Sequence, residues 1–223
     1  MQNVRIFFEK TGDAKYISHL DLMRCFARAL KRAEIPLWYT EGYNPRPYMN
    51  FAMPLSLGME GLSEILDIRI EDEKMTFLEI KERLSKTLPR DIKIIEIKEP
   101  VKKAQLVAFS TYKIEIKQDK QKPEEFESAI TKTILDPSFA IFKIGKQGRQ
   151  KVQKEIPLDG QIQNLKSWSR DTTTLVLTLP SNPTFGINPG TVINRALELM
   201  EIDPIFVHIT RKYMLDQNLD KFE

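Results

Sequence analysis

Cysteine is almost absent from this sequence. One thiol, Cys25, excludes an internal disulfide, a cysteine-built zinc site and an iron–sulfur cluster held by this chain alone. It lies within an apolar helical pattern, so we read it as a packed thiol rather than a nucleophile. Histidine is nearly as scarce. His19 and His208 show no metal-ligand spacing, and we expect neither a metal nor a cofactor. No apolar run approaches the ~20 residues that span a bilayer, so no membrane partner is expected. The opening Met1-Gln2-Asn3-Val4-Arg5 lacks the shape of a signal peptide, which points to the cytoplasm. There is no Gly-x-Ser-x-Gly and no His-Glu-x-x-His. The loop Gly145-Lys146-Gln147-Gly148-Arg149-Gln150-Lys151 lacks the Gly-Lys-Ser/Thr ending of a phosphate-binding loop.

What is present suits folded modules. The chain has 223 residues, 41% of them hydrophobic, enough for one large domain or two small ones. The net charge is only +3, but it is uneven. Lys143, Lys146, Arg149, Lys151 and Lys154 follow one another with no acid between them, forming a local basic segment.

The periodicities predict an order of elements. Val4–Phe8 is a strand, and a helix begins at Ser18 with Leu20, Met23, Phe26, Ala27 and Leu30 at helical spacing. Leu37–Thr40, Met49–Pro54 and Glu64–Ile70 are extended, Thr76–Leu88 is helical and Ile92–Ile97 is a strand. That is β-α-β-β-α-β. After Pro100-Val101-Lys102-Lys103 the pattern begins again. Phe109–Lys117 is a strand, Pro123–Leu135 a helix with Pro at its first turn, and Phe139–Ile144 a strand. Gln161–Trp168 reads as a short helix or irregular chain. Thr172–Leu179 is a strand, a helix runs from Asn188 or Thr191 to Met200, and Ile205–Arg211 is the last strand. The final ten residues are expected to fray. The predicted class is α+β, with two ferredoxin-like sandwich modules in tandem. They cover residues 1–100 and 105–215, the second with a basic insertion near 145–160.

Two polar clusters are candidates for a site. Arg24, Arg28, Lys31 and Arg32 share one flank of the first helix, a pattern able to track a phosphate backbone or simply to face water. Ser18 and Asp21 fit helix capping and dipole pairing. His19, at the first helical position, is a candidate general base or a packed residue. The turn Gly42-Tyr43-Asn44-Pro45-Arg46-Pro47 is stiffened by two prolines and presents Tyr43, Asn44 and Arg46, which suit stacking and edge recognition of a base. Lys146 and Arg149 in the basic loop are further candidates for an anionic partner.

The stretches Phe8-Glu9-Lys10-Thr11-Gly12-Asp13, Ile17-Ser18-His19-Leu20-Asp21-Leu22-Met23-Arg24, Gly42-Tyr43-Asn44-Pro45-Arg46-Pro47 and Phe51-Ala52-Met53-Pro54-Leu55, with Gly58, resemble the bacterial radical-SAM-linked domain, a family without an assigned activity. The resemblance is densest over residues 4–70. It implies an accessory half that works with a radical SAM protein encoded separately, because this chain has no Cys-x₃-Cys-x₂-Cys. The architecture is also similar to that of RNA-binding repeat-associated proteins of CRISPR systems. The expectation is therefore a non-catalytic binding protein whose partners are RNA, a radical SAM enzyme that modifies RNA, or both. Arg24, Arg28 and Arg46 would contact phosphate, and Tyr43 and Asn44 the bases. Two rivals remain: an RNA-processing or RNA-modifying enzyme using His19 as general base, and a protein–protein adaptor.

Overall fold

The computed structural model describes every residue except Gly148, Arg149 and Pro183, and every side chain except those of residues 144–152 and 183. Its elements are β1 (Gln2–Lys10), α1 (His19–Arg32), β2 (Met49–Phe51), β3 (Glu60–Ile70), α2 (Phe77–Ser85) and β4 (Ile92–Lys98). They are followed by β5 (Phe109–Lys117), α3 (Pro123–Ile134), β6 (Ala140–Gln147), β7 (Gln150–Pro157), β8 (Gln163–Ser169), β9 (Thr173–Pro180), α4 (Pro189–Leu199) and β10 (Phe206–Leu215). The protein is a mixed α+β chain. Among the described residues no helix is long and apolar enough to cross a membrane.

The chain divides into two compact units. The first comprises Met1–Ser110, Ser181–Thr184 and Thr210–Glu223; the second comprises Thr111–Pro180 and Phe185–Ile209.

In the first unit the strand order is β4-β1-β3, with β2 on the far side of β3 and every one of these pairs antiparallel. The C-terminal half of β10 runs parallel to the start of β3, where Thr210 faces Glu60 and Arg211 faces Gly61. The alternation of β1 explains why both faces of this sheet are covered. Val4, Ile6 and Phe8 point to one face and pack with Leu22, Phe26 and Leu30 of α1 and with Ile80 and Leu84 of α2. Phe7 points to the other, among Ile65, Ala52, Val107, Met214 and Phe222. Ser18 caps α1: its Oγ accepts the Asp21 backbone N–H at 3.2 Å. Thr76 caps α2 in the same way through the Glu79 N–H.

In the second unit the order is β10-β5-β9-β8, with α3 and α4 supplying Phe126, Ile130, Val192, Ile193 and Leu197 to the interior. β6 and β7 form a separate antiparallel pair.

Three expectations need correction. Residues Gln161–Trp168 are expected as a short helix or irregular chain, but strand β8 occupies Gln163–Ser169. The segment hides its character because it holds no Val, Ile or Thr, and because Asn164 sits at φ 52° where the register with β9 shifts. The strand over Phe139–Ile144 belongs to the β6–β7 hairpin, off the larger sheet, and the basic run continues through it. The C-terminal residues do not fray. Phe222 is buried, Leu215 bridges Lys221, and Arg5 donates to the Glu223 carbonyl at 2.6 Å.

Candidate functional site

The start of α1 lies against β2. The His19 ring meets Phe51 edge-on, with centroids 5.2 Å apart, and Phe51 in turn touches Phe8 and Phe26. His19 Nδ1 is buried without a hydrogen-bond partner among the described residues. Burial, and then the charge of Lys10, hold its pKa below the ordinary value, so the neutral imidazole is favoured near pH 7.

Lys10 belongs to a cluster of buried charges that sequence reading missed. Lys10, Glu64 and Arg211 are all at most 4% exposed. Arg211 Nε donates to Glu64 Oε1 at 2.8 Å, its Nη2 to Glu64 Oε2, and the same Nη2 to the Met53 carbonyl at 2.7 Å. Lys10 Nζ donates to the Ile17 carbonyl at 3.2 Å. Glu64 and Arg211 both act on the buried Lys10 ammonium. Burial, with Arg211 adding and Glu64 opposing, pushes the Lys10 ammonium below its usual pKa. The signal was in the sequence: Lys10 follows Val4, Ile6 and Phe8 at two-residue spacing, which puts a lysine where an apolar residue is expected.

The basic flank of α1 is exposed, and part of its charge is committed. Ser18 Oγ donates to Asp21 Oδ2 at 2.7 Å, and Arg24 Nη1 donates to Asp21 Oδ1 at 3.2 Å. The Ser18 hydrogen bond first, then Arg24, hold the Asp21 carboxyl below the usual range. Arg32 donates to the Thr87 carbonyl at 2.7 Å. The Arg28 guanidinium is exposed and makes no hydrogen bond among the described residues.

The second cluster is a built turn. Tyr39 bridges Pro47, Thr40 N–H donates to the Arg46 carbonyl at 2.8 Å, and Arg46 N–H donates to Thr40 Oγ1 at 3.1 Å. These bonds close the loop at its base. Gly42, at φ 133°, turns the tip where a side chain would be strained. Tyr43, Asn44, Pro45 and Arg46 face solvent, and Tyr43 is 103% exposed. No hydrogen bond, ion pair or ring contact joins Tyr43, Asn44 or Arg46 to His19, Arg24 or Arg28 among the described residues. Lys146 lies in β6, and Arg149 lies outside the described residues.

Just behind the turn, Trp38 and Tyr48 hold Arg69. The guanidinium carbon lies 4.9 Å from the Trp38 ring centre and 5.0 Å from that of Tyr48. A cavity of about 390 Å³ opens beside them, lined also by Asn50, Asp67 and Lys103. Cys25 is half-buried, and burial pushes its thiol up. Among the described residues no group of three or more His, Cys, Asp or Glu is placed to hold a metal ion.

A family model described as "Uncharacterized protein conserved in bacteria (DUF2344)" matches residues 3–189. The chain belongs to this bacterial family. No curated protein matches the sequence. Among solved structures, one described as "Crystal Structure of a Cbf5-Nop10-Gar1 Complex" is similar with a TM-score of 0.52 and 7% identity, over 95% of this chain and 48% of that chain. This chain thus spans about half the length of the one it resembles, and at that identity the likeness is one of fold. For the DUF2344 chain it supports the mixed α+β architecture described above.

Proposed function

We propose that this DUF2344 protein binds single-stranded RNA through the Tyr39–Tyr48 turn of its first unit and serves a separately encoded radical SAM enzyme acting on RNA in the cytoplasm. The observation that carries the RNA reading is Tyr43, a fully exposed ring at the tip of a turn whose base is fixed by reciprocal Thr40–Arg46 bonds. An aromatic ring with no packing role costs solubility and little else unless something stacks on it. A pre-formed turn loses little entropy when a base does so. Arg46 and Asn44 flank the ring, and Arg24 and Arg28 add an exposed cationic flank for the backbone. The radical SAM partner rests on the motif resemblance. The strand orders β4-β1-β3-β2 and β10-β5-β9-β8 support reading the two units as ferredoxin-like modules, the second interrupted by the β6–β7 hairpin.

Fluorescence anisotropy with a labelled single-stranded RNA tests this. Tyr43→Ala is expected to weaken binding by roughly 1–3 kcal/mol. Arg28→Glu with Arg46→Glu is expected to weaken it further and to flatten the salt dependence. Unchanged affinity and salt slope in these variants would sink the proposal.

The buried, unpartnered Nδ1 of a neutral His19 favours a second reading, an RNA-modifying enzyme with His19 as general base. His19→Ala separates the two: an enzyme loses orders of magnitude in rate, whereas RNA binding at the turn is kept.

A further inference from the structure

The cavity behind the turn is bounded by donors, and its one carboxylate is already neutralised. Asp67 is clasped by Arg5 through Nε–Oδ1 and Nη2–Oδ2 bonds of 2.7 Å each. Lys102 is paired with Asp216 at 2.5 Å. Arg69 and Lys103 remain. Lys103 has no ion pair among the described residues, and the two Nη groups of Arg69 make no hydrogen bond there. The cavity therefore carries two uncompensated positive charges, and the Asn50 amide, also without a side-chain hydrogen bond, faces the same space.

Arg69 is unusually well fixed for a half-exposed arginine. Its Nε donates to Oδ1 of Asn3, its direct neighbour across β1 and β3, at 3.1 Å. The guanidinium rests over both aromatic rings. The rings are themselves pinned: Trp38 N–H donates to the Arg69 carbonyl at 2.8 Å, and Tyr48 N–H donates to the Trp38 carbonyl at 3.0 Å. The Nε bond leaves the Nη edge as the part of the fork without a partner. A planar fork with its rotamer already set loses little entropy when it takes a tetrahedral oxyanion. The volume of about 390 Å³ lies within the roughly 300–1,000 Å³ of small-molecule sites.

We propose that this cavity is a nucleotide-phosphate site, with Arg69 as the phosphate ligand and Asn50 and Lys103 as supporting donors. The phosphate could come from a free mononucleotide or from an RNA strand whose bases lie on the turn. The second source rests on the RNA reading above; the first does not.

Trp38 supplies the probe. The chain has only two tryptophans, so Trp168→Phe leaves Trp38 as the sole reporter, next to Arg69. In that background, uridine monophosphate is expected to change Trp38 emission saturably, uridine to do so at least about tenfold more weakly, and inorganic phosphate to compete. Arg69→Ala and Arg69→Lys are each expected to weaken mononucleotide binding about tenfold or more, because lysine keeps the charge and loses the fork. Circular dichroism checks that the variants fold, and Lys103→Ala, an exposed change, gives a second test with a smaller loss of about threefold or more. Equal binding of uridine and its monophosphate overturns the proposal, as does no saturable response to either when RNA affinity is also indifferent to Arg69→Ala. If RNA binds, mononucleotide does not, and Arg69→Ala leaves RNA affinity unchanged, this site falls and the RNA reading stands. If mononucleotide binds and RNA does not, the site stands and the RNA reading falls.

Discussion

Arg5 and Asp67 face each other directly across β1 and β3, and their side chains close the pair with two hydrogen bonds of 2.7 Å. Arg5 is fully buried. The same guanidinium also donates to the Lys102 carbonyl at 2.8 Å and the Glu223 carbonyl at 2.6 Å, and stands 5.1 Å from the Phe222 ring centre. One buried cation thus fastens the sheet, residue 102 and the C-terminal residues together. Removing the carboxylate alone leaves that cation buried without its counter-charge. Asp67→Ala is expected to cost about 3–5 kcal/mol in urea unfolding. Arg5→Met with Asp67→Leu is expected to recover most of the loss, because an apolar pair avoids the desolvation of two ions.

The Lys10–Glu64–Arg211 cluster predicts an asymmetry. Glu64→Gln leaves two buried cations facing each other and is expected to destabilise by about 3–5 kcal/mol. Lys10→Met removes an ammonium whose charged form burial disfavours and leaves the Arg211–Glu64 pair intact. It is expected to be neutral or stabilising by up to about 1 kcal/mol, read from the same unfolding curves. A large loss in Lys10→Met would mean that its bond to the Ile17 carbonyl and its attraction to Glu64 outweigh the cost of burying it.

Gly61 tests the packing of that pair. A Cβ at Gly61 would stand 2.3 Å from Glu64 Oε1. The Glu64 carboxylate lies over the glycine, where Arg211 reaches it. Gly61→Ala must push Glu64 aside and is expected to cost about 1–3 kcal/mol. Combining it with Glu64→Gln should cost less than the sum, since the displaced group is the one already altered.

These ion pairs explain what the sequence could and could not show. The helices were legible because their faces and caps are local: Ser18, Thr76 and Asn188 each mark a start that the structure keeps. Strands with alternating apolar residues, β1, β3 and β5, were legible for the same reason. β8 was not, because an edge strand whose only apolar residues are Leu165 and Trp168 takes its hydrogen bonds from β9 and shows little of them in its own composition. The turn was visible as a motif because proline fixes backbone locally. The partners of Arg5, Lys10 and Arg211 were not, because they depend on the register of β1 and β10 against β3. Nor was the Trp38–Arg69–Tyr48 stack, which joins three residues from different segments. Residues that pair at long range leave only the trace seen at Lys10, a charge on the apolar beat of a strand.

His19 yields the last prediction, and its sign follows from the direction of its pKa. Burial, then Lys10, lower the folded-state value below the ordinary 6.5. As pH falls through about 6.5 the unfolded chain takes up the proton before the folded chain does. Stability linked to His19 is therefore present in full above pH 6.5 and declines as pH falls toward the folded-state value. His19→Gln removes the group and should flatten the slope of unfolding free energy against pH just below about 6.5. The window lies above the titration of Asp21, Asp136 and Asp216, whose carboxyls are held low by their hydrogen bonds. Proton NMR of the folded protein should place the His19 midpoint below 6.5. A midpoint above 6.5 would require an anionic group at the buried Nδ1, where no partner is found among the described residues. Lys10→Met should then raise the His19 midpoint, since it removes the charge that, among the described residues, acts on the ring.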